Sequence, residues 1–231
     1  MKRAIVTPDK HFPFEDKKAI KVLCKAIELV KPDIYIDLGD TGEWESVSHW
    51  QWKKKKRPPL EYQLPFVHKE IKAVNKGMDI IDRSLDKAGT KERHFCEGNH
   101  EDWLNRFVEE NPYLAKEMLV EHALKLKERG YKYHRIGKML KIGKIHFYHG
   151  HHFAGINQSS VTHIDGVKSA WSIGCLKDMS SEANEWLANR RHNWQHAFAV
   201  VDFHKNGNFN VTIHQIVDGV STVDGKVLRV K

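Results

Sequence analysis

Short polar clusters recur between residues 9 and 150 of this chain, and their order constrains the fold more than any other feature of the sequence. The clusters are Asp9-Lys10-His11, Gly39-Asp40, Gly98-Asn99-His100-Glu101 and His149-Gly150. Each of them follows a stretch that is typical of a β-strand. Because the carboxyl ends of neighbouring strands meet at one crevice of an α/β sheet, we expect these polar side chains to lie together.

The first elements form a strand–helix–strand pattern. Lys2–Thr7 predicts a strand, Lys17–Val30 predicts an amphipathic helix with one apolar face, and Ile34–Leu38 predicts a buried strand. Such a unit joins two parallel strands by a right-handed crossover. The sequence therefore predicts an α/β fold.

The rest of the chain continues this alternation. The pattern predicts helices at Glu61–Ala88, Glu101–Glu110 and Tyr113–Arg129, strands at Glu92–Cys96 and Ser169–Leu176, hairpins of Lys138–Ile142 with Lys144–Tyr148 and of Ala197–Phe203 with Phe209–Val217, a strand-like tail at Ser221–Val230, and an irregular stretch at Glu43–Pro59. A chain of 231 residues is long enough for one substantial core. Since there is no internal repeat or linker composition, we expect residues 1–231 to form a single domain.

The charge balance is basic, with 38 Lys and Arg against 30 Asp and Glu, a net charge of +8 and a sequence pI near 9.2. This balance favours a polyanionic partner such as nucleic acid, although charge also serves solubility alone. No apolar run approaches the ~20 residues that span a bilayer, so no membrane partner is expected. The odd, widely spaced cysteines Cys24, Cys96 and Cys175 favour reduced thiols and a cytoplasmic location.

The residue types in the polar clusters are ligands for divalent cations. Asp9 and His11 can both face one ion, whereas Asp40 has two carboxylate oxygens and can bridge two ions. Asn99 offers an amide oxygen and His149 an imidazole nitrogen. Each residue alone is commonplace, but at successive strand ends and in this order they predict a site that holds two divalent cations close together.

This set of motifs resembles the calcineurin-like metallophosphoesterase family. The family's order is D-x-H, G-D-x-x-[DNE], G-N-H-[ED] and H-G, and the chain matches it at Asp9-Lys10-His11, Gly39-Asp40-Thr41-Gly42-Glu43, Gly98-Asn99-His100-Glu101 and His149-Gly150. The resemblance implies an α/β fold in which a β-sandwich of mixed sheets is flanked by helices, in four αββα layers. It also implies a metal-dependent phosphoesterase that uses a water activated by two metal ions.

The resemblance assigns the metal ligands. Asp9 and His11 would bind one ion, Asp40 would bridge both, and Asn99 and His149 would bind the second. The mixture of oxygen and nitrogen ligands favours Mn²⁺ and also admits Fe, Zn or Ni.

The resemblance also assigns two catalytic residues. His100 would contact the phosphate and protonate the leaving oxygen, and Glu43 would be the carboxylate that orients the imidazole of His100. The family's protein Ser/Thr phosphatases carry an Arg directly after that carboxylate. Because this chain has Trp44 there, we do not expect a protein phosphatase.

The family's final G-H-x-H motif, whose two histidines complete the two metal sites, is absent. Gly150-His151-His152-Phe153 has Phe where the last His belongs. Either His151, His152 or His163 takes over, with His151 as the candidate additional metal ligand, or a segment between Gly150 and His163 is missing from the sequence. The abrupt change of pattern at Ala154–Ser160 favours the missing segment.

A basic, aromatic stretch follows Asp40 closely. It contains Trp50, Trp52, Lys53, Lys54, Lys55, Lys56 and Arg57. Aromatic side chains that stack on bases beside cations that bind phosphates are typical of nucleic-acid contacts, and a solvated basic loop is the alternative.

The sequence therefore predicts a phosphodiesterase or nuclease that acts on DNA or RNA. The alternatives are a phosphoesterase for a nucleotide or phosphomonoester, and a nucleic-acid-binding protein whose metal site is degenerate. The sequence makes no prediction about the oligomeric state.

Overall fold

The computed structural model of the chain describes residues 2–53, 55–150, 155–163, 166–180, 184 and 192–230. The helices in this part are α1 (Lys17–Val30), α2 (His49–Trp52), α3 (Leu60–Ala88), α4 (Asn99–Glu110) and α5 (Val120–Ala123). The strands are β1 (Lys2–Thr7), β2 (Ile34–Asp37), β3 (Glu92–Cys96), β4 (Tyr131–His134), β5 (Leu140–Ile142), β6 (Ile145–Phe147), β7 (Ile156–His163), β8 (Gly166–Ile173), β9 (Ala197–Phe203), β10 (Phe209–Gln215), β11 (Val220–Val223) and β12 (Lys226–Arg229). Short 3-10 turns at Glu45–Val47 and Lys116–Met118 precede α2 and α5.

A mixed sheet with the strand order β10-β9-β1-β2-β3-β4 lies at the centre. The strands β1 to β4 are parallel to one another, whereas β9 and β10 run antiparallel to their neighbours. The predicted parallel unit of β1, α1 and β2 is confirmed. Because parallel strands end at the same edge of a sheet, the loops after β1, β2 and β3 lie side by side.

Both faces of this sheet are covered, because alternate residues of each strand point to opposite sides. On one face Ile5, Tyr35 and Phe95 pack into the core that contains α1 and α3. On the other face Val6 and Ile36 pack against apolar residues of β5, β6 and β8. The predicted α/β class, a mixed sheet flanked by helices, is confirmed, and the second β layer consists of two-stranded hairpins in the described residues.

The helices that cover the sheet begin and pack through specific residues. The carboxylate of Asp16 accepts a hydrogen bond of 2.7 Å from the N–H of Ala19 and so satisfies one unpaired donor at the start of α1. In α3, a Cβ at Gly77 would lie 2.4 Å from the ring of Phe12. The glycine lets this helix approach the loop that carries the first polar cluster.

The stretch 113–129 differs from the predicted helix. Within it only Val120–Ala123 is α-helical, and the side chain of Asn105 accepts a 2.9 Å hydrogen bond from the N–H of Val120. Lys125 then has a φ of 53°. A left-handed residue cannot continue a right-handed helix, so the chain turns toward β4, a strand that the sequence did not predict. Likewise, α2 lies inside the stretch 43–59 that was predicted to be irregular.

The strands β7 and β8 form an antiparallel hairpin in which Ile156 pairs with Ile173 and His163 pairs with Gly166. The second strand overlaps the predicted strand at Ser169–Leu176, and the first was not predicted. The expected missing segment would lie between Gly150 and His163, where residues 151–154 are outside the described part of the chain, so this expectation stays a prediction.

The three cysteines, Cys24, Cys96 and Cys175, are free, as the sequence predicts. Burial raises the pKa of Cys96 and of Cys175 to about 12, which keeps both thiols protonated and unreactive. In the part of the chain that the structure describes, no helix is both long enough and apolar enough to cross a bilayer.

Candidate metal centre

The loops after β1 and β2 carry the first group of predicted ligands. The N–H groups of Lys10 and His11 both donate to the carbonyl of Asp40 at 2.9 Å, so the two loops stay paired beyond the strands. His11 has a φ of 52° and Asp40 a φ of 46°, which are uncommon values for residues with side chains. These conformations accompany a cluster in which the ligand atoms of Asp9, His11 and Asp40 all lie within 4.8 Å of one another.

Glu101, in the first turn of α4, ties these loops to the loop after β3. Its buried carboxylate accepts hydrogen bonds from the indole N–H of Trp44 (3.2 Å) and from the main-chain N–H groups of Asp40 (2.8 Å), Thr41 (2.9 Å), Gly42 (3.0 Å) and Gly98 (3.1 Å). Burial and the nearby charge of Asp40 raise the pKa of Glu101 to about 7. The sequence analysis assigned no separate role to Glu101.

Two glycines allow the loops after β2 and β3 to touch. A Cβ at Gly39 would lie 2.4 Å from the main-chain nitrogen of Gly98, and a Cβ at Gly98 would lie 2.2 Å from Oδ1 of Asp40. Gly39 also has a φ of 96°, which favours glycine. A side chain at either position would push Asp40 out of its place.

A buried ion pair lies beneath the loops. Nζ of Lys10 is 2.8 Å from Oδ1 of Asp37, and neither side chain is more than 2% exposed. The same oxygen accepts hydrogen bonds from the N–H of Gly39 (3.0 Å) and the hydroxyl of Thr41 (2.9 Å). Losing one partner of such a buried pair costs about 3–5 kcal/mol. The side chain of Lys10 therefore holds the D-x-H loop in position through Asp37 rather than through the ligand side chains.

One carboxylate oxygen of Asp40 is the centre of the cluster. Oδ2 of Asp40 lies 3.4 Å from Nε2 of His149 and 3.9 Å from Nε2 of both His11 and His100. The other oxygen accepts a 2.9 Å hydrogen bond from the N–H of His100. Although burial opposes the charge, the surrounding imidazoles hold the pKa of Asp40 well below its ordinary value. Asp40 therefore remains ionised and can contact cations on two sides.

Asn99 and His149 form the other half of the centre. Oδ1 of Asn99, at the start of α4, lies 3.0 Å from Nε2 of His149. Nδ1 of His149 donates to the carbonyl of Leu38 at 3.2 Å, so Nε2 is the nitrogen directed at Asn99 and Asp40. Although burial opposes the charge, Asp40 and Asp9 raise the pKa of His149 to about 10. The surroundings of Nε2 thus attract positive charge.

The residues present fit divalent cations. The ligand atoms of Asp9, His11 and Asp40 lie within 4.8 Å of one another, and Nε2 of His149 lies 3.4 Å from Asp40 and 3.0 Å from Asn99, so the structure brings all five predicted ligands together. Burial and the charge of Asp40 raise the pKa of Asp9, although His149 opposes the shift. A cation would relieve this crowding of negative charge. Carboxylate, amide and imidazole donors suit Mn, Fe, Zn or Ni.

Glu43 and His100 meet in a way that differs from the prediction. Nδ1 of His100 lies 2.6 Å from the main-chain carbonyl of Glu43, and since a carbonyl only accepts, Nδ1–H is the donor. The carboxylate of Glu43 instead lies 2.9 Å from Nδ1 of His11 and 2.9 Å from Nζ of Lys177. The expectation that this carboxylate orients His100 is therefore wrong. It contacts the predicted ligand His11, and the main chain holds His100.

Lys177, between β8 and β9, is a site residue that sequence reasoning missed. Its side chain is only 4% exposed, and its Nζ lies within 3.2 Å of both oxygens of Glu43. Although burial opposes the charge, His11 and Lys177 lower the pKa of Glu43 to about 2. The ionised carboxylate can then orient the imidazole of His11, as partners of metal-binding histidines do. No local motif marks Lys177, which is 134 residues from Glu43.

His100 is enclosed by aromatic rings. The ring of Trp103 lies 4.0 Å away on one side, and the ring of His11 lies 4.7 Å away, edge to face. Burial lowers the pKa of His100 to about 4, although Asp40 and Glu43 oppose the shift. The ring is neutral at pH 7 in this state, with its proton on Nδ1 and its lone pair on Nε2.

A cleft of about 300 Å³ opens beside Asn99. Its lining residues include Trp50, Arg57, Trp103 and Arg106. Aromatic and guanidinium groups therefore adjoin the metal ligands. Arg57 lies 3.3 Å from Glu110, and Arg106 lies 2.6 Å from Asp102, so each cation has a carboxylate partner in the same lining.

The basic stretch after Asp40 lines part of this cleft. Trp50 is 67% exposed, and Nζ of Lys53 lies over its ring at 5.1 Å. Trp52 is anchored instead, because its indole N–H donates to the carbonyl of Ser46 at 2.9 Å. Lys55 and Lys56 are exposed. The ring of Trp50 is therefore exposed to a ligand, whereas the ring of Trp52 is held by the fold.

Some predicted residues lie outside the described part of the chain. These are Lys54 in the basic stretch, and His151 and His152 after the His-Gly motif. The participation of His151 as an additional metal ligand stays a prediction.

Comparison with known proteins finds a likeness of fold. No family model and no curated protein matches the chain. Among solved structures, a single mutant of Vps29 from Entamoeba histolytica is 12% identical, over 97% of this chain and 95% of that chain, with a TM-score of 0.43. A second solved structure is 14% identical, over 57% of this chain and 46% of that chain, with a TM-score of 0.35. The motifs that the sequence shares with the calcineurin-like metallophosphoesterase family lie at the ends of neighbouring strands of the mixed sheet, and they remain a resemblance.

Proposed function

We propose that this chain is a metal-dependent phosphoester hydrolase. The observation that carries the proposal is the convergence of five side chains around one carboxylate oxygen, those of Asp9, His11, Asp40, Asn99 and His149. Carboxylate, amide and imidazole donors that converge in this way are the ligands that divalent transition-metal ions take in proteins.

The ligands divide into two groups that share Asp40. Asp9 and His11 would hold one cation with it, and Asn99 and His149 would hold the other. When bound, a pair of divalent cations polarises a phosphoryl group and makes water a nucleophile at neutral pH.

The surrounding residues of the chain hold these ligands in place. Nδ1 of His149 donates to the carbonyl of Leu38, and Nδ1 of His11 lies 2.9 Å from the carboxylate of Glu43. Nε2 of each imidazole faces Oδ2 of Asp40. Glu101 fixes the loop that carries Asp40.

Within this activity, a phosphodiesterase or nuclease acting on DNA or RNA is the finer proposal. Its support is the cleft beside Asn99, where Trp50 and Arg57 lie next to the position at which a phosphate would be held. A base stacked on an aromatic side chain contributes about 1–3 kcal/mol to binding. The net charge of +8 also favours a polyanionic substrate.

An activity panel with Mn²⁺ tests both levels of the proposal. The substrates are single- and double-stranded DNA, RNA, bis-p-nitrophenyl phosphate and p-nitrophenyl phosphate. We expect turnover of the diesters and its loss in Asp40→Asn. Asp202→Asn is the matched control. Asp202 pairs with Arg3 near the start of β1, whereas the predicted ligands follow the end of that strand. Turnover of the monoester alone would refute the nuclease proposal and favour a nucleotide or phosphomonoester substrate, and activity that survives Asp40→Asn would refute the metal centre.

A nucleic-acid-binding protein with a degenerate metal site is the second candidate. The observation in its favour is the absence of the G-H-x-H motif from the chain. Titration calorimetry of the metal-free protein with Mn²⁺ separates the two candidates. Bound ions support the hydrolase, whereas DNA binding without any bound ion supports the degenerate site.

A further inference from the structure

We propose that one side of the first half of α3 is a binding surface for a single strand of nucleic acid. The surface, which we call the α3 flank, consists of Tyr62, Phe66, Lys69 and Lys76. The inference goes beyond the proposed function, because it concerns binding at a surface that contains no residue of the metal centre.

The four side chains of the α3 flank lie on one side of the helix. Counted from Tyr62, the other three follow at i+4, i+7 and i+14, which is the spacing that keeps residues on one helix face. The four residues span about 21 Å along the helix axis. Two aromatic rings and two ammonium groups therefore form one stripe along α3.

Both aromatic rings of the α3 flank are exposed. Tyr62 is 65% exposed and Phe66 is 62% exposed, whereas Val67 and Val74, on the opposite side of the helix, are buried in the core. A single exposed apolar side chain is common on a protein surface. Two exposed rings one turn apart form a larger aromatic platform, and successive bases of a single strand stack on platforms of this kind.

The charges on this half of α3 favour a polyanion. Between residues 60 and 76, the exposed side chains that carry a charge are those of Lys69, Lys72 and Lys76 against Glu61. Glu70 faces the fold instead, because its carboxylate accepts hydrogen bonds from the N–H (3.0 Å) and from the hydroxyl of Ser46. Cations that bind phosphates beside rings that stack on bases match the chemistry of a single strand.

The short helix α2 joins the α3 flank to the cleft beside Asn99. The carbonyl of Ser46 accepts hydrogen bonds from the side chain of Gln63 in α3 (2.6 Å) and from the indole N–H of Trp52 in α2 (2.9 Å). Trp50, in the same helix α2, lines the cleft. Because α2 is fixed to the start of α3 in this way, a strand that leaves the cleft can continue onto the α3 flank.

The test is the affinity of the EDTA-treated protein for an oligothymidylate of about 20 nucleotides, measured by fluorescence anisotropy. Without a metal ion the strand stays intact, so that binding is measured alone. We expect Tyr62→Ala and Phe66→Ala each to weaken binding by about 5–150-fold, the equivalent of about 1–3 kcal/mol for one stacked base. The variants Tyr62→Phe and Phe66→Tyr keep an aromatic ring and should bind as the wild type does.

The lysines of the α3 flank provide a second readout. Replacing both Lys69 and Lys76 with Gln should reduce the slope of log affinity against log salt concentration by about 1.4, since each phosphate contact of a single strand contributes about 0.7. Tyr113→Ala is the matched control, because Tyr113 is also exposed but follows α4. Its affinity and its salt slope should equal those of the wild type.

The outcomes separate this inference from the proposed function. Wild-type affinity in both Tyr62→Ala and Phe66→Ala would overturn the inference, whether or not the protein hydrolyses phosphodiesters. Self-association that Phe66→Ala abolishes, with unchanged oligothymidylate affinity, would assign the flank to a second copy of this chain and would also overturn it. Weaker binding in both variants of a protein that does not turn over bis-p-nitrophenyl phosphate would support the inference and count against the proposed function. If an alanine variant fails to fold, an unchanged salt slope in the lysine variant overturns the inference.

Discussion

Replacing Glu101 with Gln should destabilise the loops that form the metal centre. Its carboxylate shares two oxygens among five N–H donors. Oε1 receives those of Thr41, Gly42 and Trp44, and Oε2 receives those of Asp40 and Gly98. A glutamine has only one amide oxygen. In the more favourable orientation of the amide, this oxygen accepts from the three N–H groups that Oε1 of Glu101 receives. The NH₂ group then faces the N–H groups of Asp40 and Gly98.

The expected cost follows from those two donors. Each buried N–H without an acceptor costs about 1–3 kcal/mol, so the substitution should lower the free energy of unfolding by about 2–6 kcal/mol. In a domain of this size, 1 kcal/mol corresponds to roughly 2–4 °C, so the melting temperature should fall by at least about 4 °C. Because one of the freed N–H groups belongs to Asp40, the Mn²⁺ affinity should fall as well.

Urea unfolding in EDTA measures this cost without a contribution from bound metal. We expect a lower midpoint with an unchanged m-value, which indicates a change of stability rather than of the surface exposed. Glu109→Gln, on the same helix, is the matched control. The side chain of Glu109 is 52% exposed and pairs with Arg135, so its replacement should change stability by less than about 0.5 kcal/mol. A loss of that same small size in Glu101→Gln would refute the reasoning.

Three further outcomes are expected. Gly98→Ala should abolish Mn²⁺ binding measured by calorimetry, because the new Cβ would lie 2.2 Å from Oδ1 of Asp40; normal affinity would show that the loop can move. Burial lowers the pKa of both His94 and His134, whose rings share a 2.9 Å hydrogen bond. The unfolded chain therefore binds more protons at these sites, and stability should fall as pH drops through the ordinary histidine value near 6.5. The urea midpoint should fall with pH in this range, and it should fall less steeply in His134→Gln. An equally steep fall in the variant would contradict the assignment to this histidine pair. Trp50→Ala should weaken binding of single-stranded DNA by about 1–3 kcal/mol in a fluorescence titration, with an unchanged melting temperature; unchanged binding would exclude Trp50 as a stacking surface.

The positions of the ligands could be predicted from the sequence because they depend on where strands end. Local patterns determine these ends well, and a parallel sheet then brings them to one edge. The contacts among the ligands' neighbours could not be predicted in this way. Glu43 meets Lys177 across 134 residues, and Asp40 meets Glu101 across 61 residues. No pattern within one segment carries information about such contacts.

The same distinction explains the error at 113–129. Its apolar periodicity is that of a helix, which local reasoning identifies correctly. The hydrogen bond between Asn105 and Val120 then starts a short turn, and Lys125 ends it in a left-handed conformation. A tertiary contact and one backbone angle thus override the local preference.

The backbone angles at His11 and Asp40 favour a functioning metal centre over a degenerate one. A residue with a side chain in the left-handed region is strained, and such strain costs on the order of 1–3 kcal/mol per residue. Glycine would adopt the same angles without this cost. The buried pair of Lys10 with Asp37 and the hydrogen bonds of Glu101 hold the loops in this conformation. The chain thus uses an imidazole and a carboxylate where glycine would be more stable, and both side chains point at the same site. Positive φ also occurs away from this site, for example at Lys125, but at His11 and Asp40 the strained residues carry ligand atoms within 4.8 Å of each other, as binding a cation between them requires.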